Sequence, residues 1–516
     1  MRCCNTGEHQ RSCTPYNDIT MEEDGIWWSL RSSKPLAVIY CSGRFDSCPF
    51  RMHSMAEKSE ILRNIPQVEV LLREEHLQQH ISRIGRSVVV GIVRDEIEKF
   101  RSAVMNGGTA APEDLHSAIN AACETKRLEK LQHVINGTGV IIHTNLGRSP
   151  LSEKMLTLLK DELSGYANLE YHIPSKGRGK RGGYAEELMC HLTSAEDTLI
   201  VNNNAAAVFL MLNEFCTGKE VIVSRGELVQ IGGGFRVPEI MARSGAHLVE
   251  VGTTNITSID DYRNAITENT AMILSVHRSN FALEGFTAEP SLKEISSLKN
   301  ETVLFGRDLG SGNLVFDPRL PKPFEPTISH ELSQGADIIS FSGDKLLGGS
   351  QAGFLVGGKD LISRLRRNQL MRMLRVDKIT YFLIQETLLS YVNGCFEELP
   401  VWNMILQDIK TIQGRVNRFL RRIPPEHRQH ITRTPATSTF GGGAMPAREL
   451  ASAGVRITVP GISPEEIYDH FITAGTPAAG VVIDGTFTFD FRTIFDRDII
   501  PLAASAETLF RKHGGS

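Results

Sequence analysis

Residues 335–353 read GADIISFSGDKLLGGSQAG, an apolar run followed at once by serine, glycine and one lysine. ADIISF has the length and β-branched content of a buried strand, and the glycines after it permit a sharp turn. In isolation, a lysine in such a turn is ordinary solvated charge. Just past the carboxyl end of a strand in an open α/β sheet, however, Lys345 stands where these sheets hold their ligands.

Outward from this stretch, the pattern is regular. From VINGTGVIIHTNLGRSPL to about residue 395, the apolar runs TLIVNN, EVIVS, HLVEVG, TAMILSVH, TVLFGRDLG and ADIISF alternate with helical segments such as AAAVFLMLNEF. That alternation predicts an α/β domain over 133–395, a mainly parallel sheet flanked by helices. LPVWNMILQDIKTIQGRVNRFLRRI reads as one long connecting helix, and GVRITV, GVVIDG and TFTFDFRTI suggest a smaller α+β domain, the two together spanning 396–516. Residues 55–132 carry apolar residues at helical spacing, with Pro112 near the start of one helix, and predict a small helical domain. Residues 1–54 lack periodicity and read as a disordered tail or a mis-assigned start before Met55.

The chain has 516 residues, 41% hydrophobic and 22% charged, with a formal net charge of -4. It is long enough for several domains, and it is not a uniformly basic nucleic-acid binder, so an RNA partner must be met by local patches. Apolar runs such as SVVVGIV are too short to span a bilayer, so no membrane segment is expected. Cys3, Cys4, Cys13, Cys41 and Cys48 crowd the first tenth, and none of the nine cysteines falls in CxxC spacing, so no metal is expected. With no apolar signal core after Met1, a reducing cytoplasm is the expected compartment.

A lysine can condense with a carbonyl cofactor. In pyridoxal 5'-phosphate enzymes an acid also pairs with the ring nitrogen, and the phosphate needs donors. Asp308 in FGRDLGSG ends an apolar strand and suits the acid, although a turn aspartate before Gly310 would look the same. VNNNAAAVF passes from strand to helix, so the amides of Asn204, Ala205 and Ala206 suit a phosphate; N-capping by asparagine is the alternative. Ser342 adds a hydroxyl three residues before Lys345. The run SRLRRNQLMRMLRVDK is strongly basic, and a solvated face is its default reading. Arg372 and Arg375, three apart, would grip one oxyanion if both lay on a helix.

The segments NGTGVIIHTNLGRSPL, VNNNAAAV, SRGELVQIGGGFRVPEIM, EVGTTN, RDLGSG, FSGDKLLGGSQAG and RMLRVDKIT resemble, in order, those of the bacterial selenocysteine synthases, the L-seryl-tRNA(Sec) selenium transferases. The resemblance runs from about Ile61 to the end of the chain. It implies a fold-type-I pyridoxal phosphate transferase with Lys345 as the cofactor-bearing lysine and Asp308 as the partner of the pyridinium nitrogen. The implied reaction converts seryl-tRNA(Sec) to selenocysteinyl-tRNA(Sec) by β-elimination through an aminoacrylyl intermediate, followed by addition of selenium from selenophosphate. It further implies an anion pocket of Arg148, Arg372 and Arg375, and a homo-oligomer, in the family a decamer-like ring. The helical domain would read the tRNA through Arg83 and Arg86, with Arg94 and Arg101 nearby. KGRGKRGGYAEEL, Gly234 and Val481 depart from the family pattern. A related lyase acting on a small amino acid or amino sugar, and a catalytically silent tRNA-binding protein, are the rival readings.

Overall fold

The computed structural model describes residues 55–106, 112–231, 235–278, 281–445 and 448–513. The expectations for residues 1–54 and for Gly234 lie outside these. The chain divides between Glu129 and Lys130 into two compact units.

The first unit is helical: α1 (Met55–Arg63), α2 (Val68–Leu71), α3 (Glu75–Ile84), α4 (Arg86–Met105) and α5 (Pro112–Leu128). In α4, Val89, Val93, Ile97, Phe100 and Val104 recur every three or four residues, so they share one face and pack with Leu77, Leu115 and Ile119. Gly85, at φ 92°, makes the break between α3 and α4 in a conformation that side chains resist. Exposed Arg83 ends α3 and exposed Arg86 opens α4, where it pairs with Glu69 at 3.0 Å.

The second unit is built on a seven-stranded sheet: β1 (Asp197–Val201), β2 (Glu220–Ser224), β3 (His247–Val251), β4 (Thr270–Val276), β5 (Leu304–Gly310), β6 (Ile338–Ser342) and β7 (Gly353–Gly357). Its order is β1-β7-β6-β5-β4-β2-β3. All pairings are parallel except those of β7, which runs against both β6 and β1. Every residue of β4 and β6 is buried, as expected of strands covered on both faces, and a separate apolar cluster packs on each side. Phe341 and Phe354 stack across β6 and β7 with ring centroids 4.9 Å apart.

Beyond it, β8 (Ile431–Thr439), β9 (Glu449–Ile457), β10 (Val481–Ile483) and β11 (Thr486–Asp490) form an antiparallel sheet in the order β8-β9-β11-β10. Phe419, Phe471, Phe487, Phe489, Phe491 and Phe510 fill its core. Val481 opens the short strand β10. The single connecting helix expected here is two, Pro400–Leu406 and Ile409–Arg422. The chain breaks at Gln407 because the Asp408 carboxylate accepts the Thr411 amide at 2.7 Å, which starts a new helix instead of continuing the old one. Among the described residues, no helix is long and apolar enough to cross a membrane, and no His, Cys, Asp and Glu cluster could hold a metal.

Candidate active site

Asp308 and Lys345 are brought together by neighbouring parallel strands. Asp308 lies opposite Ser340 in the β5–β6 register, and the register shifts immediately after it. The half-buried carboxylate accepts the Ser340 hydroxyl at 3.1 Å and Asn204 Nδ2 at 2.8 Å, both on Oδ1. Burial pushes its pKa up, while these two hydrogen bonds and the charges of Lys345 and Arg307 pull it down. The loops beyond the two strands are locked to one another, because the Leu346 amide donates to the Ser311 carbonyl at 2.9 Å. Glycine is required where they touch, since a Cβ on Gly312 would stand 2.6 Å from the Ser342 carbonyl oxygen, and again within the lysine loop, where one on Gly343 would stand 2.7 Å from that of Ser350.

Lys345 is 7% exposed, and among the described residues its Nζ makes no ion pair or hydrogen bond. Burial is the main force lowering its pKa, and Arg148 adds to it, while Asp308, Asp344 and Glu325 oppose it. A buried amine left without a partner is expensive as an ammonium ion and is held toward the neutral, nucleophilic form. That unpartnered amine, beside a carboxylate that is itself held in place, fits a cofactor carrying both an aldehyde and a basic ring nitrogen.

The turn HTNLGRS closes the other side of the lysine loop. Arg148, at φ 62°, pairs with Asp344 at 2.7 Å, the Ser149 amide donates to the Asp344 carbonyl, and Ser149 Oγ donates to the Lys345 carbonyl at 2.5 Å. Asp344 Oδ1 is buried without a partner. The Asp344 charge is therefore turned toward Arg148.

Two expectations are corrected at this edge. Asn203 Oδ1 accepts the Ala206 amide at 2.9 Å, capping the helix Asn204–Cys216, so the amide assigned to a phosphate already has an acceptor. The helix carrying Arg372 is only Met371–Leu374, and Arg375 follows it in extended conformation, so the pair does not share a helical face. Arg375 instead lies 4.0 Å from Glu170, whose carboxyl is also engaged by Arg181. The segment is nonetheless near the site, since the Leu374 carbonyl accepts the Asn202 amide at the end of β1. Asn204 and Ala205 open the helix that Asn203 caps, and Ser342 is the last residue of β6.

Three participants were not singled out in the sequence. His277 follows β4, and its amide donates to the Asp308 carbonyl at 2.8 Å; burial and the nearby Arg307, Arg278 and Lys345 push its pKa down to about 3. A histidine closing TAMILSVH stands at the same sheet edge as Asp308, so the strand-end rule could have found it. Arg307, on the sheet face opposite Asp308, is buried against Glu331 at 2.8 Å and Ser275 at 2.6 Å. Glu325 sits in the loop after β5, where no motif marks it. These three residues line a cavity of about 700 Å³ with Glu227, Ser275 and Arg278. The cavity borders the site at His277 but includes neither Asp308 nor Lys345, so the chemistry lies beside it.

The sequence profile of L-seryl-tRNA selenium transferase matches residues 134–495. The chain belongs to that family. A second profile, the N-terminal region of selenocysteine synthase, matches residues 62–101 within the helical unit. The chain is 39% identical over 450 residues to the L-seryl-tRNA(Sec) selenium transferase of Carboxydothermus hydrogenoformans, covering 85% of this chain and 96% of that one. Against the enzyme of the same name from Geotalea uraniireducens it is 41% identical over 462 residues, 87% and 100% of the two chains. Among solved structures, D-glucosaminate-6-phosphate ammonia-lyase superposes with a TM-score of 0.52 at 17% identity, over 74% of this chain and 97% of that one. The shared architecture is that of the fold-type-I pyridoxal phosphate enzymes, and this member of the selenium transferase family carries it over 74% of its length.

Proposed function

We propose that this chain converts L-seryl-tRNA(Sec) to L-selenocysteinyl-tRNA(Sec), with pyridoxal 5'-phosphate as cofactor and selenophosphate as selenium donor. The observation that carries the reading is the unpartnered, buried amine of Lys345 set against Asp308 at adjacent strand ends, in a chain of the selenium transferase family. When bound, the cofactor supplies an electron sink for the bonds at the substrate α-carbon.

The protein's own groups divide the remaining work. Lys345, which burial holds toward its neutral form, would hold the cofactor by its amine and would serve as the base for the substrate α-proton. Asp308, fixed in orientation by Asn204 and Ser340, would pair with the ring nitrogen. Ser342 and the amides of Asn204 and Ala205 hold the phosphate, with Ala206 joining only if Asn203 yields its amide. Arg148, Arg372 and Arg375 attract the selenium donor, and Arg148 then exchanges its contact with Asp344 for the incoming anion. Arg83 and Arg86 meet RNA phosphates in a tRNA-reading domain over 55–132, followed by a cofactor domain over 133–395 and a small domain over 396–516. The enzyme works as a homo-oligomer, a decamer-like ring, in the cytoplasm.

The decisive experiment incubates the purified chain, pyridoxal phosphate and selenophosphate with seryl-tRNA(Sec), then hydrolyses the aminoacyl ester and identifies the amino acid. Selenocysteine is the expected product. Turnover of a free small amino acid or amino sugar with no change to the charged tRNA would sink the proposal in favour of a lyase.

A further inference from the structure

Glu325 is 5% exposed, and several contacts converge on it. Its Oε2 accepts the Ser311 hydroxyl at 3.0 Å, its Oε1 accepts the Met445 amide at 3.1 Å, and its carbonyl accepts Asn313 Nδ2 at 2.7 Å. A further neighbour is His277, whose Nδ1 is buried, lacks a hydrogen-bond partner and lies 3.6 Å from Glu325 Oε2, just outside hydrogen-bonding range. Ser311 is three residues past Asp308, and its carbonyl holds Leu346 beside Lys345, while His277 gives its amide to the Asp308 carbonyl. One side chain thus reaches the loops of Asp308, Lys345 and His277 and, through Met445, the segment leading to β9. Met445 adopts φ 52° without being glycine, a strained conformation that persists only when its surroundings hold it. The Glu325 carboxyl does so.

The charges facing this group decide its protonation. Arg307 is neutralised by Glu331, and Arg278, beside His277, by Glu289. The remaining cation whose field reaches both Glu325 and His277 is Lys345, itself held toward the neutral form. Burial raises the pKa of the Glu325 carboxyl and lowers that of the imidazole, so both are driven toward uncharged forms. An uncharged acid has one O–H to give, and the unpartnered acceptor beside it is His277 Nδ1.

We infer that Glu325 is a positioning residue of this site: a carboxylic acid that keeps its proton and turns its O–H toward His277 Nδ1 across the 3.6 Å gap, favouring the Nε2–H tautomer of that imidazole, while its oxygens clasp the Asp308 loop to Met445. It acts through His277 and the loops, without touching substrate. Burial drives this acid toward its uncharged form, which weakens the pull that its carboxylate exerts on the Lys345 amine. The catalytic part of this inference rests on the function proposed above.

The first test needs no cofactor. Glutamine in place of Glu325 can still donate from its amide nitrogen toward His277, with the Ser311 hydroxyl turned to accept, and take the Met445 amide on its oxygen, but it cannot titrate. An acid whose folded pKa is raised loses its share of stability as pH climbs from its ordinary value, 4.5, through the folded one. The melting temperature of Glu325→Gln minus that of the unaltered protein should therefore grow with pH across this window. A constant or shrinking difference would mean that Glu325 is an ordinary carboxylate clasp, and would overturn the inference.

The second test uses the loaded enzyme. Glu325→Ala should shift the pH midpoint of the bound cofactor's absorbance and lower kcat about 10- to 100-fold with little change in KM, the scale of a small misplacement. Glu325→Gln should rescue both, and equal loss in the two variants would overturn the proposal. If the alanine variant does not fold, the glutamine comparison still decides. If the unaltered protein takes up no pyridoxal phosphate, the functional reading fails, and the cofactor-free melting curves still judge Glu325.

Discussion

Lys345 contributes no side-chain hydrogen bond, and its loop is held through the backbone, so replacing it tests chemistry apart from folding. Lys345→Ala should keep its melting temperature within a few degrees, since removing an unpartnered buried amine relieves desolvation. It should nevertheless lose the absorbance of lysine-linked pyridoxal phosphate and all turnover. Borohydride reduction and peptide mapping of the unaltered enzyme should place the label on residue 345, and a label on Lys378 would refute the assignment. Because burial lowers this pKa from an ordinary value of 10.5, the cofactor-free protein should take up pyridoxal phosphate faster as pH rises. The rate should level off below that value, where stopped-flow absorbance can follow it. Lys345 and Asp308 were legible in the sequence because both end continuous apolar strands at the edge where ligands bind. Glu325 was not legible: it lies between prolines in a loop, and only tertiary packing sets Ser311, Met445 and His277 around it.

At the level of elements, the strands of the large sheet were readable because burial on both faces writes itself as unbroken β-branched runs. Helix ends were harder. An amphipathic pattern continues through Gln407, and only the Asp408 cap, worth about 1 kcal/mol, separates the two helices. The same difficulty hid the early end of the Arg372 helix, where periodicity gave no hint that Arg375 would be extended. The two arginines flank Leu374, whose carbonyl meets the end of β1, and on the proposed role their joint replacement by alanine should weaken selenium delivery more than loss of the seryl hydroxyl. Pyruvate released after hydrolysis would then rise at the expense of selenocysteine; an equal fall of both would assign the pair to substrate placement. In the helical unit, Arg83 and Arg86 flank the Gly85 break on exposed surface. Reversing both to glutamate should cut tRNA affinity at least tenfold and flatten its salt dependence, measured by filter binding, while cofactor absorbance stays unchanged.

For the molecule as a whole, the first of the two family matches begins at residue 62, and the first described helix begins at Met55. Removal of residues 1–54 should leave yield, cofactor absorbance and turnover within about twofold; a larger loss of any of the three would show that the segment serves the folded enzyme. The division into a helical unit and an α/β unit could be read from the change of period near residue 130, because one pattern repeats near 3.6 and the other alternates runs. The hairpin from β6 to β7 carries a further consequence, one of time. The loop bearing Lys345 leaves and re-enters the middle of the sheet through adjacent strands, is closed by Gly343 on Ala352 at 2.8 Å, and is gripped by Tyr391 Oη on the Leu347 carbonyl at 2.8 Å. These contacts tie its backbone on both sides, so on the function proposed above the Lys345 amine would leave and return to the cofactor by turning about its own side-chain bonds. Such rotations take nanoseconds or less, whereas loop swings take up to microseconds and domain closures longer. On that reading the slow step falls elsewhere, and turnover should track the rate at which charged tRNA binds and leaves, as measured by varying tRNA concentration and solvent viscosity.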